Sequence, residues 1–244
     1  MPQQASEGEG AMNYDVYAGS AAYALPDARA QFIRRTYAHL ALAILGFLVI
    51  EYALLQVPGI ERIGALMTEG FNWLIVLALF IGVSWIADYW ARSDTSRGLQ
   101  YAGLTLYVAA QAIIFLPLMV LAVLISNDPT VVPAAGLITL LLFAGLTVVA
   151  FTTRADFSFL RTILVIGGFV ALGLIVASMI FGFQLGVIFA VAMVGLAAGF
   201  ILYTTSNIIH YYRTDQYVAA SLSLFAAVAL MFYYVLWILL SLRR

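Results

Sequence analysis

Seven runs of about twenty apolar residues limit what this chain can fold into. They lie at 37–57, 71–90, 99–125, 131–151, 160–181, 185–204 and 217–241. A helix rises about 1.5 Å per residue, so roughly 20 residues cross the hydrocarbon layer of a bilayer. Each run is apolar on every side rather than along one stripe, as in helices packed on one another and on lipid. A membrane barrel needs alternating segments of about ten residues, and no stretch alternates in that way. The expected fold is an all-α integral membrane protein with seven transmembrane helices over residues 29–244.

Composition narrows the chemistry. Charged residues make up 9% of the chain, against about 25% in soluble domains. The absence of cysteine excludes disulfides and thiolate metal sites. Two histidines, His39 and His210, cannot build an imidazole cage. All eleven basic residues are arginine, so the lysine of a phosphate-binding loop is missing. No G-x-S-x-G elbow or HExxH pair occurs. The expectation is a non-enzyme without cofactor or metal. A net charge of −1 gives no reason to expect a nucleic-acid partner.

Residues 1–28 are rich in Gln, Ser, Gly, Ala and acidic side chains, without the basic-then-apolar order of a signal peptide. They read as a disordered cytosolic tail. A docking peptide built on Tyr14, Tyr17 and Tyr23 is the functional alternative. Arg29, Arg34, Arg35, Arg92, Arg97, Arg154, Arg161 and Arg213 fall on one side of a seven-span arrangement. Arg62, Arg243 and Arg244 fall on the other. Cytoplasmic loops carry the arginine excess, so the N-terminus is expected in the cytoplasm and the chain in the plasma (inner) membrane. The terminal arginine pair departs from this rule. Six spans with a re-entrant last segment would return it, but 217–241 is long enough to cross.

Polar side chains inside the spans are the candidate functional groups. The densest set is a seam at 199–217 holding Thr204, Thr205, Ser206, Asn207, His210, Arg213 and Asp215. Such a seam is either a helix end returning to water or part of a functional site. Glu51, in the first span, is an intramembrane acid, with Gln56 its nearest polar neighbour on that face. It reads as a proton or cation site in a wet cleft, or as a carboxyl that snorkels or is neutralised. Asp88 and Arg92 are four apart and share a helix face, as an interfacial ion pair would. Asp156 with Arg154 reads as a solvated turn, and His39 as an interfacial side chain. Ser84, Thr147 and Ser178 are expected to bond to helix backbone or a neighbouring helix, and Gln111 to line a polar path. Gly195 with Gly199, and Gly167, Gly168 and Gly173, offer small-residue packing faces. Pro117 is expected to bend the third span.

Four segments together resemble the Bax inhibitor-1 family, also called the transmembrane Bax-inhibitor-motif family. They are Phe32-Ile-Arg-Arg-Thr-Tyr37, Arg154-Ala-Asp-Phe-Ser-Phe-Leu160, Ile201-Leu-Tyr-Thr-Thr-Ser-Asn-Ile-Ile-His210 and Tyr217-Val-Ala-Ala-Ser-Leu-Ser-Leu-Phe225. The resemblance covers essentially residues 30–242. It implies six helices packed around a central C-terminal seventh. It also implies either a pH-sensitive calcium leak or a stress-protective, protease-modulating role. Calcium, protons, a membrane protease or another membrane protein are then the partners beside the lipid bilayer. In the prokaryotic branch the leak is attributed to two buried aspartates on the last two helices, latched by an arginine. Here those two positions hold Thr204 and Ala227, while Arg92 matches the latch and Asp88 is placed to pair with it. The resemblance therefore implies an ion path without its titrating pair, in which Thr204, Thr205 and Asn207 still offer oxygens.

Overall fold

The structure is a computed structural model that describes residues 20–94, 96–126, 128–153 and 155–243. Among these, α1 spans Pro26–Leu55, α2 Ile60–Thr68, α3 Asn72–Ala91 and α4 Arg97–Val120. A π-helical turn, Leu121–Ile125, continues α4, and then α5 spans Val131–Thr153, α6 Leu160–Phe181, α7 Val187–His210 and α8 Tyr217–Leu242. All but α2 are long and apolar enough to cross a membrane, giving seven candidate spans. The all-α membrane fold read from the apolar runs is the fold observed. The nine-residue α2 was not anticipated. It lies in the connection after Pro58-Gly59, where Gly59 takes a left-handed φ of 79° and turns the chain into the helix.

The last helix is the hub. It packs on α1, α3, α4, α5 and α7, and Tyr234 shares a core cluster with Ala171 of α6. Val218, Leu224, Met231 and Leu236 are fully buried along it. It does not hold the centre alone, because α4 is buried almost continuously from Gln111 to Val120. On α1 the buried stripe is Phe32, Thr36, Leu40, Ala43, Phe47 and Glu51, spaced three or four apart. That spacing keeps one face on the hub and leaves the rest for lipid.

Close helix approach follows the glycines only in part. A side chain at Gly199 would meet Leu164 at 2.8 Å, and one at Gly167 would meet Leu196 at 2.7 Å. So α6 and α7 interlock by two leucines over two glycines. Gly168, Gly173 and Gly195 face open space instead, which corrects their expected packing role. The tightest approach is Gly103, whose missing Cβ would lie 2.5 Å from the Ala87 carbonyl and 2.7 Å from the Ala91 amide. It draws α3 onto α4 backbone to backbone. Pro117 leaves the Ile113 carbonyl without its helical donor, and α4 widens to the π turn four residues later. Gly64 of α2 sits on that segment, where a Cβ added to it would lie 3.6 Å from Pro117 Cα.

Two connections fix the ends. Arg243 donates to Asp128 and to Thr130 in the turn between α4 and α5. The end of α8 therefore meets the end of the bundle opposite the start of α1, and the last segment crosses completely. The re-entrant alternative falls. At the other end Ser20 bridges Arg213, and the Ala21 amide donates to the Tyr212 carbonyl at 2.8 Å. The expected tail boundary at 28 thus moves back, since Ser20 and Ala21 are buried and α1 begins at Pro26. Tyr14, Tyr17 and Arg154 lie outside the described residues.

Candidate functional site

The polar seam resolves into a helix end with three faces and a short turn. Successive helix residues are about 100° apart, so neighbours in sequence part company. Tyr203, Thr204, Asn207 and Tyr211 point to one side and line a cavity of about 530 Å³. Arg92 from the end of α3, Ser158 and Arg161 from the start of α6, and Tyr212, Gln216 and Ser223 complete its wall. Ser206 and His210, four apart, face the 155–157 segment. The Ser206 hydroxyl accepts from the Phe157 amide at 3.0 Å and donates to the Ala155 carbonyl at 3.3 Å. His210 Nδ1 lies 2.9 Å from the Ser206 carbonyl. These two residues anchor a loop. Thr205, on the remaining face, is fully buried. Its hydroxyl faces the Tyr37 hydroxyl, as does Thr147, without reaching hydrogen-bond geometry.

The structure therefore brings Arg92, Thr204 and Asn207 together and sends Thr205 elsewhere. That corrects the grouping of Thr205 with the other seam oxygens. Ala227 is buried at 5% exposure, one helical turn deeper than Ser223. Asp88 binds Arg92 at 2.8 Å, and Arg92 also lies 5.9 Å from the centre of the Tyr212 ring. The latch arginine is thus held from its own helix, at the cavity's mouth. None of the described residues lining this vestibule is a carboxylate. Two acids stand behind its wall: Asp88, bonded to Arg92, and Asp156, which accepts from the Tyr211 hydroxyl at 2.6 Å. That hydrogen bond, aided by the Ser158 amide, holds the Asp156 carboxyl below its ordinary value of 3.8 despite some desolvation. Arg213 pairs with Asp215 at 2.7 Å and with Asp94 at 3.7 Å on the surface.

With this geometry in view the comparisons can be placed. The model of the family described as inhibitor of apoptosis-promoting Bax1 matches residues 29–244. The chain belongs to this family. A relative from Pseudomonas aeruginosa, an uncharacterized protein, is 36% identical over 107 residues. That match takes in 43% of this chain and 47% of the relative, about half its length. Uncharacterized proteins of Neisseria meningitidis serogroups A and B are each 27% identical over 71% of this chain and 76% of their own. None of these relatives' names states an activity.

The other candidate residues sit far from the vestibule. Gln111 is buried at 6% exposure and lines a second cavity of about 380 Å³ with Thr68, Ser178, Tyr233 and Trp237. Those residues belong to the opposite end of the bundle. An aromatic layer crosses the core, and its Phe115 and Tyr233 form part of the wall of this second cavity. Phe225 touches Phe47 and Tyr107 at ring distances of 6.2 and 6.1 Å. Phe115 meets Phe47 and Tyr233 at 5.1 Å each and stacks on Phe232 at 5.9 Å. Glu51 lies one turn beyond Phe47 on the buried stripe of α1, only 2% exposed. Neither carboxylate oxygen has a hydrogen-bond partner among the described residues, and Gln56 is exposed at the helix end. The expected Glu51–Gln56 neighbourhood is absent because Glu51 faces the core. Ser178 bonds its own helix at the Ile175 carbonyl, as expected for a span hydroxyl. Ser84 and Thr147 have no partner among the described residues.

Sequence reasoning missed Arg161, Tyr203, Tyr212 and Ser223 as vestibule residues. Each stands at a span end with an ordinary interfacial explanation. Only the packing of α3, α6, α7 and α8 at one end shows that they share a cavity.

Proposed function

We propose that this chain is a leak-type membrane channel in closed form, without the family's carboxylate gate. It sits in the bacterial inner membrane with its N-terminus in the cytoplasm, and performs no catalytic step. The observation that supports a channel is the pair of cavities at opposite ends of one bundle whose core holds an aromatic layer. The arginine excess at the vestibule end supports the orientation. In the parent arrangement two adjacent carboxylates share a proton, so one titrates near neutrality. With Thr204 and Ala227 in their places, and Arg92 already neutralised by Asp88, the vestibule has no such pair. A hard cation such as calcium prefers carboxylate oxygens, and Glu51 is the acid among the described residues that is buried in a span and could serve calcium or protons.

The test is flux. Purified protein in liposomes loaded with a calcium dye, and in parallel with a pH dye, should leak slowly and equally from about pH 6 to pH 8. Leakage no greater than that of empty vesicles, for both ions, would sink the channel. The double substitution Thr204→Asp with Ala227→Asp should make the leak pH-dependent. A folded double variant whose flux stays flat with pH would show that the site does not carry over. The second reading is a non-conducting protein that modulates a membrane protease or a stress response. It is favoured by the aromatic layer, which offers a permeating ion nothing but ring carbons and two tyrosine hydroxyls. On that reading Glu51→Gln changes no flux, and affinity purification from native membranes yields a stoichiometric partner.

A further inference from the structure

The start of α8 holds an unneutralised cationic cluster that neither the vestibule nor the aromatic layer uses. Tyr217, the first residue of α8, is 4% exposed and is met from two other spans. The Arg97 guanidinium donates to its hydroxyl at 2.7 Å, and the Tyr101 hydroxyl lies 3.0 Å from the same oxygen. Arg35 stands 5.6 Å from the ring centre. His39 stacks on Tyr101 and tilts against Tyr217 at 5.0 Å, with its Nδ1 donating to the Arg35 carbonyl. One buried tyrosine thus fixes two arginines from α1 and α4.

Neither arginine has a carboxylate partner among the described residues. Of the described acids at this end of the bundle, Asp88 pairs with Arg92, Asp94 and Asp215 with Arg213, and Asp156 bonds to Tyr211. Asp27, exposed in the first turn of α1, pairs with neither arginine. Arg97 uses one N–H on Tyr217, and Arg35 donates none to a described residue. A guanidinium has five donors in a planar fork suited to phosphate oxygens. Arg97 and Tyr217 are the first residues of α4 and α8, and Arg35 stands in the third turn of α1. Long basic side chains near the ends of spans reach toward lipid headgroups. No side chain caps the N-terminus of α8, so its partial positive charge adds to the two arginines.

We propose that Arg35 and Arg97, held by Tyr217 and flanked by Tyr101 and His39, bind the phosphate of an anionic lipid headgroup. The site is independent of the channel reading. Arg34 is its internal control, because it carries the same charge one residue away, and the guanidinium groups over the Tyr217 ring are those of Arg35 and Arg97. The full chain would be placed in nanodiscs of phosphatidylcholine with phosphatidylglycerol, extracted, and the retained lipid counted by native mass spectrometry. Near a membrane surface each arginine strengthens anionic-lipid binding about fivefold. Arg35→Gln with Arg97→Gln should therefore lower retained phosphatidylglycerol by an order of magnitude or more, while Arg34→Gln retains it. Should the double variant fail to fold, Arg35→Gln alone suffices, since Arg35 is exposed and anchors no side chain. An equal loss in the Arg34 variant would overturn the site in favour of diffuse attraction. Unchanged retention in the Arg35 and Arg97 variants would overturn it outright. Inorganic phosphate that displaces the lipid, or raises the thermal midpoint as much without it, would overturn the lipid as ligand.

Discussion

The last turns of α7 and of α1 place polar atoms inside the same apolar bundle, with opposite outcomes. The Ser206 hydroxyl has found partners: an amide, a carbonyl and an imidazole from a loop and the next helical turn. Around Glu51 no described residue supplies one. Each stands four residues before the last residue of its helix, so the difference is what each faces. Ser206 faces the 155–157 segment, whose free amide and carbonyl reach it. Glu51 continues the buried stripe of α1, and its neighbours along that stripe are apolar. A polar residue that faces a loop is thus absorbed into structure, whereas an acid on a core-facing stripe keeps its bonding capacity for something that arrives. An ionised carboxylate left there unpaired costs roughly 2.5–3.5 kcal/mol or more.

The largest expected effect comes from disturbing the vestibule without touching Glu51. Gly103→Val would drive a side chain into the Ala87 and Ala91 backbone, which has no rotamer to yield. Overpacking typically costs about 1–3 kcal/mol and occasionally more, and here it also pushes Arg92 away from Tyr212. Thermal unfolding in detergent should show a fall at the upper end of that range, while Gly145→Ala, facing open space, should be silent. Equal midpoints for the two variants would mean that α3 is not held by backbone contact. Next in size is Ser206→Ala, which strands the Phe157 amide and the Ala155 carbonyl. A buried donor left unmade costs about 1–3 kcal/mol. The same melt should fall accordingly, and proteolysis should cut first near 155–157.

Glu51 should respond in the opposite direction. Replacing an unsatisfied buried polar group by an apolar one of similar size is neutral or stabilising. Glu51→Leu should therefore raise the unfolding midpoint, by roughly 1–3 kcal/mol in free energy, and Glu51→Gln should change it less. If Glu51→Leu destabilises the protein, the carboxyl has a partner and the contrast with Ser206 collapses. Should it stabilise the fold and also abolish flux, the group is retained for function at the expense of stability.

How much of this was legible follows from the same contrast. The spans were readable because a bilayer demands long apolar runs whatever their neighbours, and 37–57 or 217–241 could be nothing else. The seam was readable as polar, and its spacing already implied different faces for Thr204, Thr205 and Ser206. Which face met the cavity was not readable, because that depends on whether α3, α6 or α8 stands opposite. For the same reason the Tyr217 cluster escaped notice, as its arginines come from spans 62 and 120 residues apart in sequence from Arg35 and Tyr217 respectively to Arg97. Gly103 was missed because it stands alone, without the paired spacing that marks Gly195 and Gly199. The centrality of α8 came from the family resemblance, since α8 is no more apolar than the spans that surround it.

The smallest expected effect concerns the rim of the vestibule, where partnering is complete but solvent is near. The Tyr211 hydrogen bond lowers the Asp156 carboxyl from its ordinary value of 3.8. A carboxylate with a folded pKa below its unfolded one stabilises the protein above the unfolded value, and that contribution disappears as pH falls through the folded one. Tyr211→Phe removes the donor and leaves Asp156 closer to its ordinary value. Wild type and variant should therefore differ slightly in midpoint at neutral pH and converge in acid, below about pH 3.9. Asp156 is largely exposed, so screening keeps the gap small. A gap that persists undiminished into acid would mean that Tyr211 acts through ring packing, and the rim would then be held by the same apolar contacts as the core around Glu51.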